Sequence, residues 1–181
     1  RALQAQGVAA SPKHYVAHGS PESGLNLGPV HAGERELRDT FLPPFAAAVQ
    51  EAGAMSMMPA YHEWDGIPLH ASRFLLTELL RDELGFDGFT VSDFGGVHML
   101  HGFHKCADSA LEAGRQALRA GLDMEAPSPW GFGEAFVDAA RRGDIPMAEI
   151  DLAVTRILRI KFRLGLFENP YVQTGAAALH T

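Results

Sequence analysis

"GFDGFTVSDFGGV", Gly85–Val97, decides the reading of this chain. Its middle, Gly88–Asp93, is apolar and β-branched and reads as a buried strand. The strand stops on a carboxylate, Asp93, and Phe94 and two glycines follow at once. A buried charge is costly unless something pairs with it or uses it. Glycines behind it allow a tight turn and close approach of a ligand. Such an acid is held rigidly while a ligand reaches the turn after it.

Working outward, the same strand-then-helix punctuation recurs. "GVAAS" (Gly7–Ser11), "AMSMMPAY" (Ala54–Tyr61) and "GLDMEAP" (Gly121–Pro127) read as further short strands. Helices are expected over 33–53, 72–84, 106–120, 133–142 and 146–164. In the first, Leu37, Phe41, Phe45 and Val49 share a face, and Pro43–Pro44 predict a kink or break. In the second, Leu75, Leu76, Leu79 and Leu80 point inward. "HEWDGIPLHA" reads as a polar loop. So does "HMLHGFH", whose three histidines could meet as metal ligands only on a helical turn that Gly102 interrupts. The expected class is α/β, with parallel strands joined by helical crossovers. Four such units fit an open doubly wound sheet or half of a TIM-like (β/α)8 barrel.

Composition excludes several functions. The 181 residues are 46% hydrophobic and 20% charged, which is globular. A net charge of −7 leaves no basic footprint, so no nucleic-acid partner is expected. No apolar run reaches membrane-span length, so no membrane partner is expected either. A single Cys106 excludes an intrachain disulfide and a cysteine-based metal site. The compartment stays open, with periplasm or exterior favoured.

In either architecture ligands sit at the carboxyl ends of the strands. Those ends carry Lys13 and His14, then Met58 and Tyr61, then Asp93, then Asp123 and Glu125. A cation, an imidazole, a phenol and carboxylates on one rim suit a polar, neutral ligand. By position alone Asp93 reads more simply as a cap or turn residue than as catalytic, and Lys13 at a barrel strand end stays open to Schiff-base chemistry. Asp123 and Glu125 read as braces of the rim. Trp64 reads equally as a sugar-stacking platform or as loop packing.

"KHYVAHG", "ERELRDTFLPPFAAAV", "MMPAYHEWDGIP", "LLRDELGFDGFTVSDFGG" and "ILRIKFRLGLFENPY" together resemble glycoside hydrolase family three, the β-glucosidases, β-xylosidases and relatives. The resemblance runs from about Gly7 to Tyr171 and rests on five motifs in register. It implies that residues 1–169 are the second half of the family's N-terminal barrel. Residues 170–181 would begin a linker to a C-terminal α/β domain. It implies Asp93 as nucleophile of a retaining hydrolase acting on terminal β-linked sugars. Lys13, His14, Met58, Tyr61 and Phe94 would bind substrate, Phe94 standing where many relatives have Trp. It implies a glycoside or oligosaccharide as partner, no cofactor and no metal, and an acid/base Glu supplied by the C-terminal domain. A second branch, the β-N-acetylglucosaminidases, carries an Asp-x-His dyad in the loop after "KH". Gly24 and Asn26 stand there instead, which favours the β-glucosidase-like branch. A sugar-binding remnant without activity, or Schiff-base chemistry on Lys13, remain the alternatives.

Overall fold

The computed structural model describes residues 1–171. Four runs of chain lie parallel and in sequence order. The segment Ala10–Tyr15 flanks β1 (Ser56–Met57), through Ser56 N–H to Ala10 O, Met58 N–H to Pro12 O and a parallel bridge Tyr15–Pro59. The hairpin strands β2 (Glu63–Trp64) and β3 (Ile67–Pro68) follow, and β1 then pairs in parallel with β4 (Phe89–Thr90). Beyond it, Val91 bridges in parallel to Met124. Each new run is added on the same side of the last. A doubly wound sheet reverses its order at a switch point, whereas a barrel does not. The order therefore resolves the architecture as an arc of a (β/α) barrel.

Helices cover the arc. A short α1 (Glu34–Glu36) runs into a π turn at Leu37–Phe41, and α2 (Pro43–Gln50) restarts after a bend at Leu42. This is the break that Pro43–Pro44 predict, since a ring at Pro43 fits a first helical turn but not an interior. The π-helical stretch Phe74–Glu83 buries Leu75, Leu76, Leu79 and Leu80 completely, as their spacing predicts. Next come α3 (Gly96–Gly102), α4 (Ala110–Ala120), α5 (Glu134–Arg141) and α6 (Met147–Arg163). Ser109 caps α4 by accepting the Glu112 N–H, the Ser-x-x-Glu signature, and Gly121 ends it in the left-handed region at φ 111°. A main core beneath the strands joins Tyr15, Leu37, Met57, the four leucines and Leu122. A smaller one joins Leu118, Phe136, Ala139, Ile145 and Ala153.

Three expectations need correction. Gly7–Ser11 forms no strand; pairing begins only at Ala10, because Gln4 takes the Ala10 and Met55 N–H groups with its side-chain carbonyl. "HEWDGIPLHA" is not a plain loop. Asp65 (φ 50°) and Gly66 (φ 79°) make the two-residue turn between β2 and β3, a turn that needs φ > 0 at both positions. The start of "HMLHGFH" is helical, as part of α3, since Gly95 (φ 72°) turns the chain sharply after the strand. The linker expected at 170–181 lies almost wholly outside the described residues.

Candidate functional site

The end of β4 delivers Asp93, nearly buried, to the rim of the arc. Three neighbours hold its carboxylate. The Tyr61 hydroxyl donates to Oδ1 at 2.8 Å, and the Phe94 backbone N–H donates to the same oxygen at 2.7 Å. His14 Nε2 lies 3.2 Å from Oδ2. Three of the residues marked out by the sequence thus converge with Asp93, from three different strand ends. Phe94 is 63% exposed, an aromatic residue beside the carboxylate left open by the described residues. Lys13 is exposed and lines a 310 Å³ concavity with His14, His18 and Phe41. Met58 is half-buried, and its backbone is bonded to Pro12 and Tyr15 on the segment that carries Lys13 and His14.

Electrostatics follow from burial. Burial, and then the bond to Asp93, push the Tyr61 phenol up to about 12, so it stays a proton donor. Burial, and then the neighbouring His18 ring 4.4 Å away, lower His14 below its ordinary value despite the opposing pull of Asp93. The His14 ring thus sits beside Oδ2 with its protonated form disfavoured by burial and by His18.

The braces are now identifiable. Asp123 Oδ2 accepts from Arg81 Nη2 at 2.6 Å and from the Thr90 N–H at 2.8 Å, while Oδ1 accepts from Arg156 at 2.9 Å. Glu125 accepts the backbone N–H groups of Trp130, Gly131 and Phe132. Both carboxylates tie the fourth run to its neighbours. Trp64 packs: its indole donates to Ala32 O and its ring stacks on Phe74 at 5.6 Å. The three histidines of "HMLHGFH" separate. His98 and His101 lie against Trp130, and His104 bonds the Tyr61 carbonyl at 2.9 Å. Among the described residues no cluster of three or more His, Cys, Asp or Glu could hold a metal.

Two roles escaped the sequence reading. His70 is 1% exposed, and its Nε2 accepts the Asp93 backbone N–H at 3.1 Å. His104 bonds the Tyr61 backbone. A lone histidine inside an apolar run, "IPLHASRFLL", was the available signal, and it reads most simply as a core histidine.

A family model described as the glycosyl hydrolase family 3 N terminal domain matches residues 1–160. A lysosomal β-glucosidase of Dictyostelium discoideum is 41% identical over 180 residues, 99% of this chain and 22% of its own length. A β-xylosidase of Formosa agariphila is 41% identical over 167 residues, 89% of this chain and 23% of its own. A Listeria innocua β-glucosidase, solved in complex with glucose, superposes with a TM-score of 0.84 at 36% identity. That match covers 91% of this chain and 22% of the Listeria one. The chain thus spans less than a quarter of the length of the relatives it matches.

Proposed function

Because the chain belongs to glycosyl hydrolase family 3, we propose that it is the nucleophile-bearing half of the barrel of a retaining β-glycosidase that acts on terminal β-linked glucose or xylose units. The observation that carries this reading is the three-way grip on Asp93 by Tyr61, His14 and the Phe94 N–H, at a strand end beside an uncovered aromatic ring.

The grip also suggests the attack. Oδ1 already accepts two hydrogen bonds, whereas Oδ2 has the His14 ring nitrogen 3.2 Å away and no hydrogen bond of its own among the described residues. Oδ2 therefore keeps the free lone pair. It attacks the anomeric carbon, the glycosidic C–O bond breaks, and an acid protonates the departing oxygen. Water, deprotonated by the same group, then hydrolyses the glycosyl-enzyme; the two carboxyl groups stand about 5 Å apart in such enzymes. Lys13, His14, Met58 and Tyr61 surround the sugar at the cleaved bond, and Phe94 offers its ring to sugar or aglycone. Residues 1–169 form the partial barrel, 170–181 begin the linker, and the acid/base Glu lies in a C-terminal domain beyond this chain.

The test is a 2-fluoro-glycoside, whose fluorine slows hydrolysis of the covalent intermediate, applied to the complete gene product. Peptide mapping should place the label on Asp93. A label on any other carboxylate refutes the assignment.

A further inference from the structure

The ladder between β1 and β4 stops one rung early. Phe89 N–H bonds Met55 O at 3.2 Å, and Val91 N–H bonds Met57 O at 2.9 Å. In a parallel ladder the next partner is two residues on each strand, Asp93 N–H to Pro59 O. That bond is absent, and Pro59 is bridged to Tyr15 on its other side. The Asp93 N–H goes instead to the ring of His70, which the turn Leu69–Ala71 carries in from outside the sheet. The strands separate at the rim, and the imidazole fills the gap.

The ring is confined on every side that matters. Tyr61 stacks on it at 6.3 Å and 24°. Gly96 faces it so closely that a Cβ there would lie 2.2 Å from Nε2. An accepting Nε2 requires the proton on Nδ1, toward which the Ala60 backbone offers a hydrogen bond. We propose that His70 is a positioning residue: a neutral, Nδ1-protonated imidazole that replaces the last rung of the ladder and fixes the main chain of Asp93. The inference rests on the reading of Asp93 as nucleophile. Its logic is that two groups aim the carboxylate from one backbone. Tyr61 and Phe94 set the side chain, and His70 sets the peptide from which that side chain springs. Burial keeps the ring neutral, lowering it to about 3, so its acceptor survives at any working pH.

The test compares His70→Leu, which keeps bulk and loses the acceptor, with His70→Gln, which keeps an acceptor. Both are made in the complete gene product. The readouts are the rate of inactivation by saturating 2-fluoro-glycoside, the concentration giving half that rate, and the melting temperature. His70→Leu should slow inactivation about tenfold to a hundredfold, as a displaced nucleophile does, with the half-saturating concentration within about threefold. His70→Gln should recover most of the rate. A leucine variant as fast as the parent, or a glutamine variant as slow as the leucine one, overturns the proposal. Should the leucine variant not fold, the glutamine variant decides: a loss beyond about tenfold overturns it, and a smaller loss supports it. If the unmodified protein carries its label elsewhere than Asp93, the functional reading falls and this inference with it. A label on Asp93 with an unchanged leucine rate removes only His70.

Discussion

Moving from pH 7.5 to pH 5 should weaken the fold by about 4 kcal/mol, through two histidines. His62 is fully buried, and neither ring nitrogen makes a well-formed hydrogen bond; burial lowers it to about 4. His70, buried beside Asp93, is lowered to about 3. Both bind protons more weakly folded than unfolded, where the value is 6.5. Their contribution is therefore complete above pH 6.5 and is lost as pH falls from there toward 4 and 3. At pH 5 each unfolded ring is almost fully protonated and each folded ring is not, a difference of roughly 1.5 pH units at 1.36 kcal/mol each, or about 2 kcal/mol per ring. His14, also lowered, acts in the same direction. Glu83 and Asp87, held below their ordinary values by Arg38 and Arg163, weaken the fold only below about pH 4.5, outside this window. Against a typical total of about 5–15 kcal/mol the loss is large. With a slope near 2 kcal/mol per molar, the urea midpoint should fall by about 2 M. His62→Leu should remove about half of the pH dependence. A midpoint that stays level between pH 7.5 and 5, or a slope unchanged in His62→Leu, refutes the reasoning.

Two further substitutions probe the frame around the site. Asp123→Asn leaves Arg81 or Arg156 unpaired in the interior, and breaking a buried pair costs about 3–5 kcal/mol. Calorimetry should show a fall in melting temperature of about 6–20 °C. Gly96→Ala sets a methyl group against the His70 ring, so the ring must move. That substitution should cost about 1–3 kcal/mol of stability and lower kcat about tenfold or more, both measurable on one purified variant.

The sequence made the helices and the strand that ends in Asp93 legible because their signals are local. Leucines three and four apart place Phe74–Glu83 on the core, and a β-branched run ending in Asp93 marks the rim. The failures have physical causes too. Gly7–Ser11 looks like a strand by composition, but the side chain of Gln4, just before it, takes bonds a strand would use. The β2–β3 turn was signalled by Asp65-Gly66, a pair suited to φ > 0, yet surrounding polar residues read as loop. His70 could not be assigned at all, because its role depends on a rung missing between two strands 33 residues apart in register. Such a gap exists only once the strands are placed.

The carboxylates on this rim bear on where the second one comes from. A retaining site needs a group that can give up and regain a proton next to the nucleophile. Asp123 is held by two arginines and a backbone N–H, so both of its oxygens are occupied. Glu125 accepts three backbone N–H groups with its two oxygens. Neither can turn an oxygen toward a substrate without giving up bonds that brace the frame. Glu63 lies 3.8 Å from His104, which in turn bonds the Tyr61 carbonyl, so it too belongs to the support of the site. Glu22 sits 61% exposed and paired with His31 at 3.1 Å. A general acid works best when burial or a neighbour tunes it toward the working pH. Asp123 and Glu125 are committed to the frame, and Glu22 to an exposed pair. Under the proposed function, this half-barrel would aim Asp93 and another part of the protein would bring the acid.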